Sequence, residues 1–370
     1  MIIGVPKEIK IEEMRVGLTP ESVKQLVAHG HQVLVETQAG AGISCSDEDY
    51  NTVGAEIINT PEEIFAKADL IVKVKEPQAQ ECLRLRPEQT IFTYLHLAAD
   101  KKQTQLLKQS GCLAIAYETV TNNKGRLPLL APMSAVAGRM ATQVGAHYLE
   151  KPQGGSGILM GGIVGVSPAK VTILGSGTVG RNAAAVAIGM GAEVTVIGRK
   201  PERLNQLKAQ FGEQIDIACV EAYDLPKRII SSDFVVGAVL IPGAKAPQLV
   251  SREIIRQMRP GSVLVDVAID QGGCFETSHP TDHKSPIYIE EDIIHYCVTN
   301  MPGAVPRTST YALNQATLPF ILALANKGVQ TALLEDTHLL SGLNVCRSHI
   351  THKNVAEAVG QAFVEPKNAL

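Results

Sequence analysis

The fold is decided by the stretch Val171-Thr-Ile-Leu-Gly-Ser-Gly-Thr-Val-Gly180, which a helical pattern follows. Its first four residues predict a buried strand. The three glycines then form a G-x-G-x-x-G turn between strand and helix, as this motif requires. Gly175 permits the tight turn, Gly177 lets a pyrophosphate approach the backbone, and Gly180 lets the helix pack closely on the strand. Because free N–H groups at a helix start attract anions, the stretch predicts a dinucleotide-binding site.

The next predicted strand, 193–197, ends without the acid that such a site usually has. About 20 residues after the turn, a carboxylate normally accepts a hydrogen bond from the ribose 2′-hydroxyl. Here the chain reads Gly198-Arg-Lys200. The missing carboxylate removes a hydrogen bond to the ribose of NAD(H), and it also removes a repulsion against the 2′-phosphate of NADP(H). Acceptance of NADP(H) therefore stays open. Arg199 can stack on adenine or bind that phosphate, or Arg199 and Lys200 can be solvated residues at a helix start.

Short apolar stretches alternate with amphipathic ones along the chain, which predicts parallel sheets covered on both faces. We therefore predict an α/β protein with two doubly wound Rossmann-like domains joined by long helices. Residues 1–130, completed by 306–370, form the predicted substrate domain, and residues 131–305 form the dinucleotide-binding domain. The strands are predicted at 2–5, 31–36, 70–74, 90–95, 113–117, 171–174, 193–197, 215–220, 234–238, 262–268 and 296–298.

The composition excludes several classes of protein. With 45% hydrophobic residues in a chain of 370, there is ample material for packed cores. A net charge of −3 leaves no basic surplus for a nucleic-acid partner. No apolar stretch reaches the roughly 20 residues that span a bilayer, and we expect no signal peptide. Seven scattered cysteines without a CxxC pair indicate reduced thiols, so we expect a cytoplasmic protein with no metal site. We also expect no membrane partner.

Polar side chains follow several predicted strands, where ligands of open α/β sheets bind. Lys75 and His96 come after two strands of the first half, and Arg15 lies in the loop after the first strand. Asp270 and Asn300 take comparable positions in the second half. Each has an ordinary explanation by itself, such as a surface ion pair for Lys75 or a turn cap for Asp270. Five polar residues at the same kind of position favour a catalytic site.

These side chains suit the oxidation of a small 2-amino or 2-hydroxy acid. Arg15 and Lys75 can bind a carboxylate, the arginine through its two-pronged guanidinium. An imidazole such as that of His96 exchanges protons near neutral pH. Asp270 can orient a water molecule or stabilise an iminium cation. A nicotinamide held by the glycine turn would complete the chemistry.

Longer blocks of sequence resemble the alanine dehydrogenase family over essentially the whole chain. The blocks are Val5-Pro-Lys-Glu8, Arg15-Val-Gly-Leu-Thr-Pro20, Lys73-Val-Lys-Glu-Pro77, Tyr94-Leu-His-Leu97, Ala131-Pro-Met-Ser134, Ala137-Gly-Arg139, Gly237-Ala-Val-Leu-Ile-Pro-Gly-Ala-Lys-Ala-Pro247, Asp266-Val-Ala-Ile-Asp-Gln-Gly-Gly273 and Asn300-Met-Pro-Gly-Ala-Val-Pro-Arg-Thr-Ser-Thr310. The resemblance implies reversible deamination of L-alanine to pyruvate and ammonia with NAD(H). It also implies a homo-oligomer, usually a hexamer.

The resemblance implies roles for individual residues. Arg15 and Lys75 would hold the substrate carboxylate and oxygen, with Asn300 as a further substrate contact. His96 would be the acid and base, and Asp270 would serve in proton transfer and water activation. The implied cofactor contacts are Ser134, Gly175, Ser176, Gly177, Thr178, Val179, Gly180, Gly198, Arg199, Val239, Leu240, Ile269, Asp270 and Met301.

Two positions depart from the family pattern, namely Gly198 at the ribose position and Ala135 where a Glu is common. Two other functions therefore stay open. One is the nucleotide-binding subunit of a proton-translocating transhydrogenase, against which the intact Lys75, His96 and Asp270 argue. The other is a nucleotide-binding regulator without catalysis, which only the two departures support.

Overall fold

The computed structural model describes residues 1–220, 224–239 and 246–370. The chain divides into two compact units. The first unit comprises residues 1–133 and 305–370, and the second comprises residues 134–304. Each unit contains one main sheet, and the inner strands of both sheets are buried at nearly every residue. Strands buried on both faces are typical of α/β proteins whose helices cover the sheet on each side.

The helices and strands follow one another in alternation. The first unit begins with β1 (Ile2–Val5), α1 (Pro20–Ala28), β2 (Gln32–Glu36), α2 (Asp47–Thr52), β3 (Glu56–Ile58), α3 (Pro61–Lys67), β4 (Leu70–Val72), α4 (Ala79–Cys82), β5 (Thr90–Thr93), α5 (Lys101–Ser110) and β6 (Leu113–Ala116). The chain passes into the second unit through α6 (Ala131–Tyr148), and this unit continues with β7 (Lys170–Leu174), α7 (Thr178–Gly189), β8 (Glu193–Gly198), α8 (Pro201–Phe211), β9 (Ile215–Cys219), α9 (Leu225–Ile230), β10 (Phe234–Gly237), α10 (Arg252–Arg256), β11 (Val263–Asp266), β12 (Ile287–Glu290) and β13 (Ile293–Tyr296). The first unit resumes with α11 (Pro306–Lys327), α12 (Val329–Glu335), α13 (Thr337–Leu340), β14 (Leu343–Cys346), β15 (His349–Ile350), α14 (Lys353–Val359) and α15 (Pro366–Ala369).

The sheet of the second unit has the strand order β12-β13-β11-β10-β7-β8-β9. All neighbouring pairs are parallel except β12 with β13, which pair antiparallel at the sheet edge. The order reverses between β7 and β10, where Leu174 lies opposite Gly237. This reversal is the switch point at which open α/β sheets bind ligands, at the carboxyl ends of the strands.

The sheet of the first unit repeats the same arrangement in the order β15-β14-β6-β5-β4-β1-β2-β3. Its switch point lies between β1 and β4. The strands from β3 to β6 are parallel, whereas β14 pairs antiparallel with β6 and β15 antiparallel with β14. The predicted α/β class with doubly wound sheets is confirmed, but the sheets are mixed rather than purely parallel. The antiparallel strands β12, β14 and β15, of two to four residues, were not predicted.

Most of the predicted strands lie within a few residues of the observed ones. At α1, the Thr19 side chain accepts a hydrogen bond from the Ser22 N–H and Pro20 opens the helix. Thr60 before α3 makes no such capping bond, although Pro61 opens that helix in the same way. The strand predicted at 296–298 was wrong, since β13 ends at Tyr296. That correction puts Asn300 four residues beyond its strand.

A buried cation ties the first unit together at its switch point. Lys73 is 1% exposed, and its Nζ lies 3.0 Å from Glu8 Oε2 and 2.9 Å from Glu81 Oε1. Glu8 also accepts the Val74 N–H at 2.6 Å through its other oxygen. Burial opposes the charge of Lys73, but the two carboxylates outweigh it and raise the pKa of Lys73. The loop after β1 and helix α4 are therefore fixed to the end of β4.

Among the described residues, no single helix is both long and apolar enough to cross a membrane. Helices α11 and α12 meet that criterion only as a pair, and they are bent by 118° relative to each other.

Replacing the buried cation should destabilise the first unit. Lys73→Ala leaves two buried carboxylates without a counter-charge, so urea unfolding followed by circular dichroism should show a loss of about 3–5 kcal/mol. Lys67→Ala is the control, because Lys67 is half exposed beside Glu63 and should contribute little. Since the pKa of Lys73 is raised on folding, its contribution is present at neutral pH and is lost as pH rises above about 10.4. Equal losses for the two variants would contradict this account.

Candidate functional site

The loop after β1 is held rigidly over the end of β4. A Cβ on Gly17 would lie 2.4 Å from the Val72 carbonyl oxygen, so only glycine fits this crossing. Asn314 of α11 fixes the same segment: its Oδ1 accepts the Thr19 N–H at 2.8 Å and its Nδ2 donates to the Gly17 oxygen at 3.0 Å. The loop therefore presents Arg15 from a fixed backbone rather than from a mobile one.

Arg15 is a buried, oriented cation, 2% exposed. Its Nε and Nη2 donate to the two carboxylate oxygens of Glu13 at 2.6 and 2.5 Å, and its Nη1 lies 3.1 Å from Met133 Sδ. Burial opposes the charge, but hydrogen bonds and attraction from Glu13 outweigh it and raise the pKa of Arg15. Glu13 thus occupies one edge of the guanidinium and fixes the direction of the rest. Sequence reasoning missed Glu13, because a carboxylate two residues from an arginine carries no signal of its own.

Lys75 is half-buried at the end of β4. The Thr93 hydroxyl, on the neighbouring strand β5, donates to the Lys75 carbonyl oxygen at 2.9 Å. The backbone N–H of Lys75 points to Glu8 Oε1 at 3.4 Å. The Glu8 carboxylate that pairs with Lys73 therefore also lies at the backbone of Lys75, which links the position of this side chain to the buried cation.

His96 projects from an unusual backbone. Its φ of 52° and ψ of 35° lie in the left-handed region, which a residue other than glycine adopts only when its surroundings enforce it. The Glu118 carboxylate provides that enforcement, accepting the His96 N–H at 2.6 Å and the Leu95 N–H at 3.2 Å. Nδ1 of His96 lies 4.0 Å from Glu118 Oε1, and the side chain is 49% exposed. The imidazole is thus fixed at its base and open to solvent.

Tyr94 stacks on the imidazole and lies near enough to Arg15 to feel its charge. Its ring stacks on that of His96 with 5.9 Å between centroids and 8° between planes. Its hydroxyl donates to the Leu129 oxygen at 2.6 Å, and burial raises the pKa of Tyr94 although the nearby Arg15 opposes the rise. Arg15, Lys75 and His96 therefore lie at one edge of the first sheet. Sequence reasoning also missed Glu118 and Tyr94, whose roles depend on contacts across neighbouring strands.

The glycine turn of the second unit has the shape that a pyrophosphate needs. Gly175 has φ 122°, and a Cβ there would lie 2.4 Å from the Ala238 oxygen; a Cβ on Gly180 would lie 1.8 Å from the Gly175 oxygen. A Cβ on Gly177 would meet nothing closer than Arg203 Nη1 at 4.0 Å, so this face is open. No side chain caps the first turn of α7. Its N–H groups are therefore available to an anion, and the residues present fit a dinucleotide.

Helix α6 fixes the position of α7. A Cβ on Gly138 would lie 2.2 Å from the Val179 oxygen, which requires close helix packing. The Thr142 hydroxyl donates to the Ala183 oxygen at 2.9 Å. Ser134 and Ala135 lie half-buried in the first turn of α6. Nothing in the structure explains the alanine at 135.

Asp270 lies in a tight turn after β11 that a second aspartate organises. Asp266 is fully buried and accepts the N–H groups of Ala268 at 3.0 Å and Cys274 at 2.7 Å and the Ser278 hydroxyl at 2.6 Å. Burial raises the pKa of Asp266 against these hydrogen bonds. Asp270 itself is exposed at the tip of the turn. The buried carboxylate, which sequence reasoning did not single out, thus holds the exposed one in place.

The remaining predicted contacts follow neighbouring strands of the same sheet. Asn300 has φ 58°, and a Cβ on Gly303 would lie 2.7 Å from its Nδ2. Met301 and Ile269 are buried, and Val239 is half-buried after β10. Since β10, β11 and β13 are adjacent and parallel, these residues lie at the same edge as the glycine turn. Leu240 lies outside the described residues. In the part of the chain that the structure describes, no three His, Cys, Asp or Glu side chains are grouped to hold a metal ion.

Known proteins resemble the chain over its full length. Residues 4–137 match the family model "Alanine dehydrogenase/PNT, N-terminal domain", and residues 141–353 match the corresponding C-terminal domain. An alanine dehydrogenase of Halomonas elongata is 54% identical over 365 residues, which cover 99% of this chain and 98% of that protein. That of Bacillus subtilis is 52% identical, with coverage of 100% and 98%. A solved L-alanine dehydrogenase structure is 48% identical with a TM-score of 0.94, covering 97% of this chain and 99% of its own. A transhydrogenase from Sinorhizobium meliloti, 24% identical with a TM-score of 0.82, covers 95% of this chain and 100% of its own and shares the fold.

Two glycines of α7 allow a matched test of the turn. Gly180→Ala should destabilise the second unit by about 1–3 kcal/mol, because its Cβ would overlap the Gly175 carbonyl. Gly189→Ala, in the same helix with open space around the added methyl, should be neutral or stabilising by about 0.5–1 kcal/mol. Thermal unfolding followed by circular dichroism measures both. A Gly180→Ala variant as stable as Gly189→Ala would show that the close approach is not required.

Proposed function

The chain belongs to the alanine dehydrogenase family, and we propose that it catalyses the reversible oxidative deamination of L-alanine to pyruvate and ammonia with a nicotinamide dinucleotide. The observation that carries this proposal is the full-length identity of 54% to an alanine dehydrogenase. The oriented Arg15 and the fixed His96 support it, because an anchored cation and an open imidazole at one sheet edge suit a small amino acid. The enzyme is thus an oxidoreductase acting on a CH–NH₂ donor.

The dinucleotide, when bound, accepts a hydride from C2 of the substrate. We propose that Gly175, Gly177 and Gly180 leave room for its pyrophosphate and that the first N–H groups of α7 bind it. The other residues proposed to contact it are Ser134, Ser176, Thr178, Val179, Gly198, Arg199, Val239, Leu240, Ile269, Asp270 and Met301. The family favours NAD(H), and Gly198 with Arg199 adds acceptance of NADP(H).

Arg15 and Lys75 bind the substrate as an anion in this proposal. Glu13 holds one edge of the Arg15 guanidinium, so its remaining N–H groups are presented in one fixed direction. Lys75 supplies the second positive charge to the carboxylate and carbonyl oxygens. Asn300 is proposed as a further substrate contact.

His96 and Asp270 move protons in this proposal. Loss of the hydride leaves an iminium carbon, to which a water molecule adds with loss of a proton. Asp270 orients that water and stabilises the cationic carbon. The amino group of the resulting carbinolamine takes up a proton and departs as ammonia, while the hydroxyl loses its proton to give the carbonyl of pyruvate. His96, with its imidazole exposed, exchanges these protons as acid and base.

A homo-oligomer, a hexamer by resemblance to the family, is the proposed assembly, in the cytoplasm. A cluster of aliphatic side chains supports association between copies. Leu159, Ile163, Val164 and Val166 are each at least 60% exposed on the loop before β7. An apolar group of this kind on a surface is typical of an interaction site.

Steady-state rates with L-alanine and either NAD or NADP test the proposed function. We expect oxidation of L-alanine with at least one of the two, and reduction of pyruvate in the presence of ammonium. Hydride exchange between NADH and an NADP analogue without activity toward alanine would favour a transhydrogenase instead. Cofactor binding without turnover of any amino acid would favour a regulator.

Removal of the proposed proton-transfer groups should slow the reaction strongly. His96→Ala and Asp270→Asn should each lower kcat by about 10²–10⁴-fold, the usual contribution of acid–base catalysis. His147→Ala serves as the control, because His147 is also exposed and lies beside a carboxylate, Glu150, at 3.6 Å. Unchanged kcat in both His96→Ala and Asp270→Asn would refute the proposed roles.

A further inference from the structure

A surface cleft of about 320 Å³ adjoins the glycine turn of the second unit. It is lined by Ser176 of the turn, Arg181 of α7, and Arg203, Gln206, Leu207 and Gln210 of α8. We call it the α8 cleft. Its lining contains two arginines, two amides and a hydroxyl, but no carboxylate. That combination suits a doubly charged anion.

The cations of the α8 cleft are available to a ligand. Arg181 and Arg203 are exposed, and neither has an ion-pair partner among the described residues. Nη1 of Arg203 lies 4.0 Å from where a Cβ on Gly177 would be, directly at the turn. Arg199 and Lys200, at the start of α8, add further positive charge to this side of the unit. An anion beside the ribose would therefore meet several cations and no opposing carboxylate in the cleft.

The Ser176 side chain occupies the space that the Cβ of an acidic residue at position 198, the end of β8, would need. A Cβ on Gly198 would lie 2.7 Å from Ser176 Oγ and 3.3 Å from Leu204 Cδ2. The serine hydroxyl therefore lies against the backbone of Gly198, at the strand end that normally carries the ribose-binding carboxylate. A hydroxyl can donate a hydrogen bond to a phosphate oxygen, which a carboxylate would repel.

We propose that the α8 cleft binds the 2′-phosphate of NADP(H), with Ser176 and Arg203 as its direct ligands and Arg181 as a supporting cation. The chain then prefers NADP(H) to NAD(H). This inference rests on the proposed function only in that a dinucleotide occupies the glycine turn. It assigns Ser176, Arg181 and Arg203, and not Arg199 alone, as the residues that select the cofactor.

Calorimetric titration of the full-length protein with adenosine 2′,5′-bisphosphate and with 5′-AMP tests the assignment without any turnover. We expect the bisphosphate to bind at least about tenfold more tightly, as a charge-assisted hydrogen-bond set should provide. Arg203→Gln should remove this preference and leave the affinity for 5′-AMP unchanged. Lys227→Gln, which removes an exposed charge on α9, should retain the preference.

A second variant should reverse the preference between the two nucleotides. Gly198→Asp combined with Ser176→Gly places a carboxylate at the strand end and removes the atom it would overlap. This variant should bind the bisphosphate more weakly than 5′-AMP, and its kcat/KM ratio should shift from NADP toward NAD. The single variant Gly198→Asp should shift in the same direction.

Three results would overturn the assignment. Equal binding of the two nucleotides by the unaltered protein would refute the 2′-phosphate site while leaving the proposed dehydrogenase intact, if alanine is still oxidised. An equal loss of affinity for both nucleotides in Arg203→Gln would show that Arg203 does not read the 2′ position. If neither nucleotide binds, the dinucleotide site itself fails, and the proposed function fails with it.

Discussion

At the switch point of each sheet, two backbones approach so closely that no side chain fits between them. In the second unit a Cβ on Gly175 would lie 2.4 Å from the Ala238 oxygen, and in the first unit a Cβ on Gly17 would lie 2.4 Å from the Val72 oxygen. These contacts bring the loop after each central strand across the end of its neighbour. Such a crossing puts polar side chains and free N–H groups at the carboxyl ends of the strands, where ligands bind. The catalytic proposal depends on this constraint in both units.

Three carboxylates hold the side chains that we propose to bind or transform the substrate. Glu13 pairs with Arg15, Glu118 fixes the backbone of His96, and Asp266 organises the turn that carries Asp270. In each case a buried or half-buried carboxylate accepts hydrogen bonds from the segment that carries the proposed functional side chain. These interactions are present without any substrate, so in the proposed mechanism the groups are oriented during folding rather than on binding.

The parts that the sequence predicts well are those that depend on neighbours along the chain. Residues 171–180 place strand, turn and helix from local pattern alone, and Thr19 and Pro20 place the start of α1. The antiparallel strand β14 pairs with β6 across more than 200 residues, as Leu343 does with Ile115, and no local pattern signals that pairing. Glu13 and Glu118 were missed for a related reason, since a carboxylate shows its role only when its partner is in place. The strand at 296–298 was placed too late because its apolar run extends across the true end.

Transfer of the C2 hydrogen of alanine tests the central claim most directly. With L-[2-²H]alanine and the preferred dinucleotide, mass spectrometry and NMR of the reduced cofactor should find deuterium on the nicotinamide ring in proportion to the pyruvate formed. Pyruvate formed with the deuterium released to water would contradict the account, because the substrate would then have lost a proton rather than a hydride.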